Sequence, residues 1–346
     1  MREWAMTIIE NIVGRVAVLR GGRYSVEVDV ITTSGFGRFA APVDDNPQLY
    51  IAEAHRAVSE VDEIIGPELI GFDASEQELI DSYLWEIDGT EDFSHIGANT
   101  ALAVSVAVAK AAASVKKMPL YSYIGGTFTT ELPVPLLEIM GGEDFDYYVL
   151  VKDIMEITDV VDAAVNLLNV AEKPSLEELS RASEKVGSEL GLEVTLGIVQ
   201  KKPLSIQEVL SIVEDYNVSY IKPVGDEEVF LELIAGTHGV FVDGEYLFQR
   251  KGILDRRYYN ALSIKPINLG TLTDLYNLVS DVKSERITPI LAEARYESAD
   301  EALPHIALGL RCPAIMLGKD SVAKLNELNR IAEDLGERGR LITFEE

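Results

Sequence analysis

The sequence predicts an α/β protein, a β/α barrel preceded by a smaller α+β segment. Three observations carry this. Ala261 to Val279 (ALSIKPINLGTLTDLYNLV) reads as a short apolar strand, a turn through Pro266, Asn268 and Gly270, and a helix with Leu272, Leu275, Tyr276 and Val279 at helical spacing. With the similar units that surround it, it makes eight strands between residues 133 and 317, enough to close a barrel. Near the start, Tyr24 to Thr32 (YSVEVDVIT) alternates, with Val26, Val28 and Val30 on one face and Glu27 and Asp29 on the other. The chain has 346 residues, room for a barrel of roughly 250 and a domain of about 100.

Residues 5–41 read as two or three antiparallel strands: one or two in Thr7–Arg20, then Tyr24–Thr32 and Phe36–Ala41. Helices are expected over 50–64 and 75–86 and, without a polar face before Lys110, over Asn99–Val115, where Asn99 or Thr100 serves as cap. This α+β cap spans 1–126, and the barrel spans 127–346. The barrel opens with two strands, Pro133–Ile139 and Tyr148–Ile154, and two helices, Thr158–Asn169 and Ser175–Leu190. Strand–helix units then follow at 192–198 with 205–215, and at 218–221 with 226–235. After them come 240–243 with a helix near 255–259, the Lys265 unit, 287–291 with 298–308, and 314–317 with 321–335.

Charge and composition exclude several function classes. Thirty basic residues against 58 acidic ones give a formal charge of −28. A nucleic-acid backbone needs a basic face, and an anionic membrane surface repels such a protein. A small anionic metabolite needs only a local positive pocket. The single cysteine, Cys312, excludes an internal disulfide and a cysteine–zinc site, and its apolar setting in GLRCPAIML reads as packing. No stretch reaches the roughly 18 apolar residues of a membrane span. The first residues lack a signal-peptide pattern, so the expected location is the cytoplasm. The four histidines fall in no metal-ligand spacing.

In such barrels polar residues at the carboxyl ends of strands face the catalytic rim. The strand ends here carry Glu138, Lys152-Asp153, Lys201-Lys202, Lys222, Asp243 with Glu245, Lys265, Glu293 with Arg295, and Met316. Cations at five strand ends of so acidic a chain point to an anion or mixed-charge pocket. A divalent cation fits less well, because Lys222 would repel it; Lys222 could instead pair with Glu245.

The motifs YSVEVDV, EIIGPELIG, DGTEDFSHIGANTALAVSVAVAKAAA, PLYSYIGG, LPVPLLEIMGG and IKPINLGTLTDL, with the run around AKLNELNRIAEDLG, resemble the enolase (phosphopyruvate hydratase) family over nearly the full length. The resemblance implies an enolase-type modified TIM barrel (strand-strand-helix-helix, then β/α repeats) with an N-terminal α+β cap, and a homodimer. It implies proton abstraction next to the carboxylate of 2-phosphoglycerate, then loss of hydroxide, with magnesium stabilising the intermediate. Lys265 matches the family's general base, but Met316 stands where the family has the partner lysine. The first metal carboxylate matches Gly197, the second Lys222, and the third falls near Glu245 or Asp243. The family's SHRSGETED becomes AEARYESAD (Ala292–Asp300), its Gln-Glu pair matches Lys152-Asp153, and a histidine matches Asp144. Its mobile serine-glycine loop is reduced to PVDDN, and the segment carrying its general-acid glutamate is absent.

Three readings follow. The first is an enolase-like protein without dehydratase activity, a pseudoenzyme with a binding, regulatory or structural role. The second is an enzyme of altered chemistry, with Lys265 as base, Glu245, Asp153 or Glu293 as acid–base partner, and Lys152, Lys222 and Arg295 holding an anionic substrate. The third is a true enolase, which alone requires magnesium.

Overall fold

The structure, a computed structural model, describes residues 7–152, 154, 156–169 and 174–342. Its internal contacts group the chain into two units. The first comprises residues 1–129, 265–279 and 293–310; the second comprises 130–264, 280–292 and 311–346.

In the first unit, β1 (Ile9–Val18), β2 (Tyr24–Thr32) and β3 (Phe36–Ala40) form an antiparallel sheet in that order. The region read as one or two strands is the single strand β1. Val26, Val28 and Val30 are fully buried, as the alternation requires. On the opposite face Asp29 accepts from Arg15 at 2.6 Å and from Arg38 at 2.6 Å. Burial opposes ionisation of Asp29, but the two guanidinium groups outweigh it and hold its pKa at about 2.

The alanine-rich helix, Ala98–Lys116, packs on β2 and β3. Its small side chains permit a close approach: a Cβ at Gly37 would lie 1.9 Å from the Ala107 carbonyl oxygen. The expected cap is corrected. Gly97, at φ 91°, occupies the N-cap position, and Asn99 lies within the first turn. There the Asn99 amide spans the backbone of Ala52, accepting from its N–H at 2.9 Å and donating to its carbonyl at 3.1 Å. The helix is long and apolar enough to cross a membrane by length and composition, contrary to the expectation that no stretch is, and 83% of the relevant window is buried inside the protein. Helix Ala54–Glu60 lies within the expected 50–64, and helix Gln77–Asp88 overlaps the expected 75–86, displaced by two residues.

The second unit begins with β4 (Glu131–Leu132), β5 (Val134–Gly141), β6 (Phe145–Lys152), β7 (Glu193–Gln200), β8 (Val218–Lys222) and β9 (Phe241–Val242). It continues with β10 (Ala261–Ile264), β11 (Thr288–Ala292), β12 (Ala314–Leu317) and β13 (Arg340–Leu341), the last pairing in parallel with β4. Eight of these strands form one sheet in the order β10-β11-β12-β5-β6-β7-β8-β9. A single parallel bridge, Asp243 to Ala261, links its two ends and completes the ring. The Asn260 side chain reinforces that seam, accepting from Val242 N–H at 2.7 Å and donating to the Val240 carbonyl at 2.9 Å. β6 is antiparallel to both β5 and β7, and the other ladders are parallel. Helices 157–168 and 176–190 follow β6, which gives the strand-strand-helix-helix opening. After β9 the helix is Glu245–Lys251, ten residues before the expected stretch; residues 256–258 form a turn.

Candidate functional site

Strand alternation puts Tyr220 and Lys222 on one face of β8. Both meet acids supplied just beyond β9. Lys222 Nζ donates to Glu245 Oε2 and lies 4.0 Å from Asp243 Oδ2. The Tyr220 hydroxyl donates to Asp243 Oδ2. Asp243 Oδ1 accepts from the backbone N–H groups of Glu245 at 2.9 Å and Ser263 at 3.1 Å. Glu245 also accepts from Gln249 Nε2 at 2.8 Å and Ser263 Oγ at 3.3 Å. Asp243 is fully buried and Glu245 is 7% exposed. Burial and then the Asp243 charge push the Tyr220 pKa well above its ordinary value, so the phenol stays protonated and remains a donor.

Gly197 on β7 pairs with Tyr148 and Tyr220 on its two neighbouring strands. A Cβ there would lie 3.2 Å from Tyr148 Cβ, 3.2 Å from the Tyr220 ring and 3.4 Å from Leu136. The position has no donor atom and is already lined by other side chains. Met316 is in register with Leu136, and paired residues share a face of a sheet, so Met316 falls on the Leu136 side and is buried.

These residues do not fit a magnesium ion. Magnesium is held by oxygen ligands. Of the positions that the resemblance matches to metal ligands, one is a glycine and another an ammonium, and the oxygens of Asp243 and Glu245 already accept from protein donors. A divalent ion beside Lys222 would face like charge. Among the described residues no group of three or more His, Cys, Asp or Glu is placed to hold a metal ion.

Other predicted site residues lie in the first unit. Lys265 directly follows the last residue of β10, and its Nζ donates to Asp44 Oδ2 at 2.9 Å. Glu293 is 9% exposed, with a carboxylate oxygen 3.9 Å from the Arg20 guanidinium. Arg295 pairs with Asp45 at 3.0 Å and lies beside the Tyr296 ring. The structure therefore groups Lys222 with Glu245, Lys265 with Asp44, and Arg295 with Asp45.

Lys152 is not grouped with Lys222. Because β6 runs antiparallel, its last residue pairs with Glu193, the first residue of β7, whereas Lys222 ends β8 in register with Val199 near the end of β7. Lys152 Nζ pairs with Glu193 at 2.8 Å, at the end of the sheet away from Lys222. The predicted strand began at Tyr148, but β6 begins at Phe145 and turns its amino end toward that rim. The residue opposite Gly197 is consequently Tyr148. Asp153 lies outside the described residues. Lys201 and Lys202 are engaged by the β5–β6 hairpin: Lys201 by Asp146 at 2.5 Å, Lys202 by Asp144 at 3.2 Å and Glu143 at 3.3 Å. Sequence reasoning missed Asp44, Tyr148, Tyr220 and Ser263. Tyr220 was accessible through its two-residue spacing from Lys222; Asp44 is 221 residues from its partner.

Comparison with known proteins gives one family. The description "Enolase, N-terminal domain" matches residues 9–124, and "Enolase, C-terminal TIM barrel domain" matches residues 241–344. The enolase of Methanothermobacter thermautotrophicus is 32% identical over 404 aligned positions, covering 95% of this chain and 97% of the relative. That of Methanosphaera stadtmanae is 29% identical, covering 95% and 98%, and that of Pyrococcus furiosus is 30% identical, covering 97% and 99%. These alignments are longer than this chain, so the relatives carry segments that it lacks.

Proposed function

This chain belongs to the enolase family, and from that premise we propose that it does not dehydrate 2-phosphoglycerate and acts instead as a binding or regulatory protein. One observation carries the reading: an ammonium group, Lys222, sits between Glu245 and Asp243 at a position matched to a metal carboxylate. The reaction described above forms an enediolate-like intermediate whose extra negative charge needs stabilisation. Losing one such electrostatic interaction costs an enzyme about 3 kcal/mol or more, and here Gly197, Lys222 and Met316 remove several. The test is a coupled enolase assay on purified protein with excess magnesium and a genuine enolase as control. Absence of turnover is expected; magnesium-dependent product formation would overturn the reading.

A second reading keeps chemistry or binding at Lys265, directed at a carboxylate or phosphorylated metabolite. It is favoured by the retained lysine, which already contacts a carboxylate in this protein. Lys265→Ala should abolish binding of such a metabolite in calorimetry, and unchanged binding would sink the idea. The family also suggests a homodimer, which sedimentation equilibrium would show as twice the 38.0 kDa chain mass.

A further inference from the structure

We propose that residues 42–48 form an autoinhibitory strap in which the Asp44 carboxylate is an internal ligand of Lys265, holding closed a position that a small carboxylate or phosphate would take. The proposal rests on the reading of Lys265 as an anion-binding residue.

Asp44 Oδ2 lies 2.9 Å from Lys265 Nζ, and the side chains are 10% and 23% exposed. The contact comes from a short backbone segment pinned on both sides. Val43 and Tyr296 form an isolated antiparallel bridge, each N–H donating to the other's carbonyl at 3.1 Å. Asp45 accepts from Arg295 at 3.0 Å and from the Tyr296 hydroxyl at 3.2 Å, and lies 3.8 Å from Arg23. The Gln48 N–H donates to Asn268 Oδ1 at 3.3 Å, three residues beyond Lys265.

The two acids of the segment differ in setting. Asp45 and its partners are largely in solvent, where such pairs are weak and screened by salt. Asp44 and Lys265 are shielded, where a charge-assisted contact is stronger. The Asp45 anchors can thus release at modest cost, while the contact they help to deliver is a shorter one between less exposed side chains. An anion that takes the place of Asp44 on Lys265 must displace it, so the strap lowers the apparent affinity by the fraction of molecules in which it is closed. The displaced group and the incoming ligand share one chemistry, an oxyanion accepting from an ammonium.

The test is isothermal titration calorimetry of the full chain with malonate and, separately, inorganic phosphate. Asp44→Asn should bind at least one probe about tenfold more tightly than the unmodified protein. Asp45→Asn, which loosens the strap but keeps Asp44, should gain roughly threefold. Asp44→Asn/Lys265→Met should lose the gain. Equal affinity for the unmodified protein and Asp44→Asn overturns the strap while leaving anion binding at Lys265 standing, and so does a gain that survives in the double variant. No binding by any protein overturns both. If Asp44→Asn does not fold, the Asp45→Asn comparison decides: no gain overturns the strap. The probe that responds distinguishes a carboxylate ligand from a phosphorylated one.

Discussion

Two lysines at strand ends, Lys222 and Lys265, each meet a carboxylate, but the carboxylates come from different kinds of structure. The partners of Lys222 stand just beyond the neighbouring strand, are buried, and accept from a tyrosine, a serine, a glutamine and two backbone groups. The partner of Lys265 rides on a short segment held by solvent-facing ion pairs. The first arrangement is part of the sheet and cannot be vacated without disrupting the core. The second can be withdrawn by moving a few residues of backbone. A positive charge whose partners are built into the barrel thus serves the fold, whereas the proposed exchange of partners needs one whose carboxylate rides on a loop.

The sharpest way to break this contrast is Lys222→Met. It leaves Asp243 and Glu245 buried without their cation, and should cost about 3–5 kcal/mol in denaturant unfolding. Lys222→Met/Glu245→Leu should be less damaging than the single change, because it removes a stranded charge as well. Tyr220→Phe takes a hydroxyl donor from Asp243 and should cost about 1–3 kcal/mol by the same measurement.

The Asp29 cluster tests an ion pair that belongs to neither lysine. Its carboxyl is held at about 2, below the ordinary aspartate value of 3.8. A depressed carboxyl stabilises the fold above its unfolded pKa, and that contribution is lost as pH falls through the folded value. Stability should fall by about 1–2 kcal/mol between pH 4 and 2, discounted for the solvent exposure of Arg15 and Arg38, and Asp29→Asn should flatten this segment of the pH profile. The smallest effect is expected for Asp44→Asn, below about 1 kcal/mol in thermal unfolding, because Lys265 keeps access to water. A cost as large as that of Lys222→Met would mean that the two lysines are equally structural.

Much of the barrel was legible because strands and helices announce themselves through local periodicity. The strands at 218–222, 261–264 and 314–317 lie where the pattern puts them. The direction of β6 was not legible. An antiparallel strand and a parallel one share the same two-residue period, so the sequence does not say which end faces the rim, and Lys152 was assigned to the wrong one. The site was legible where partners sit at or just beyond the ends of adjoining strands, as for Lys222 and Glu245. Asp44 was not, since no periodicity joins positions 221 residues apart.

The first unit is discontinuous in sequence, and this has a consequence for how the protein is made. The apolar helix 98–116 leaves the ribosome well before residues 265–279 and 293–310 of its own unit, among them Leu272, whose N–H takes the Ser105 hydroxyl as acceptor. At about 5–20 residues per second, the nascent chain waits roughly 10–40 s for residue 310. Through that interval the early helix lacks part of its cover, and a chaperone that shields apolar helices during translation would find its substrate there.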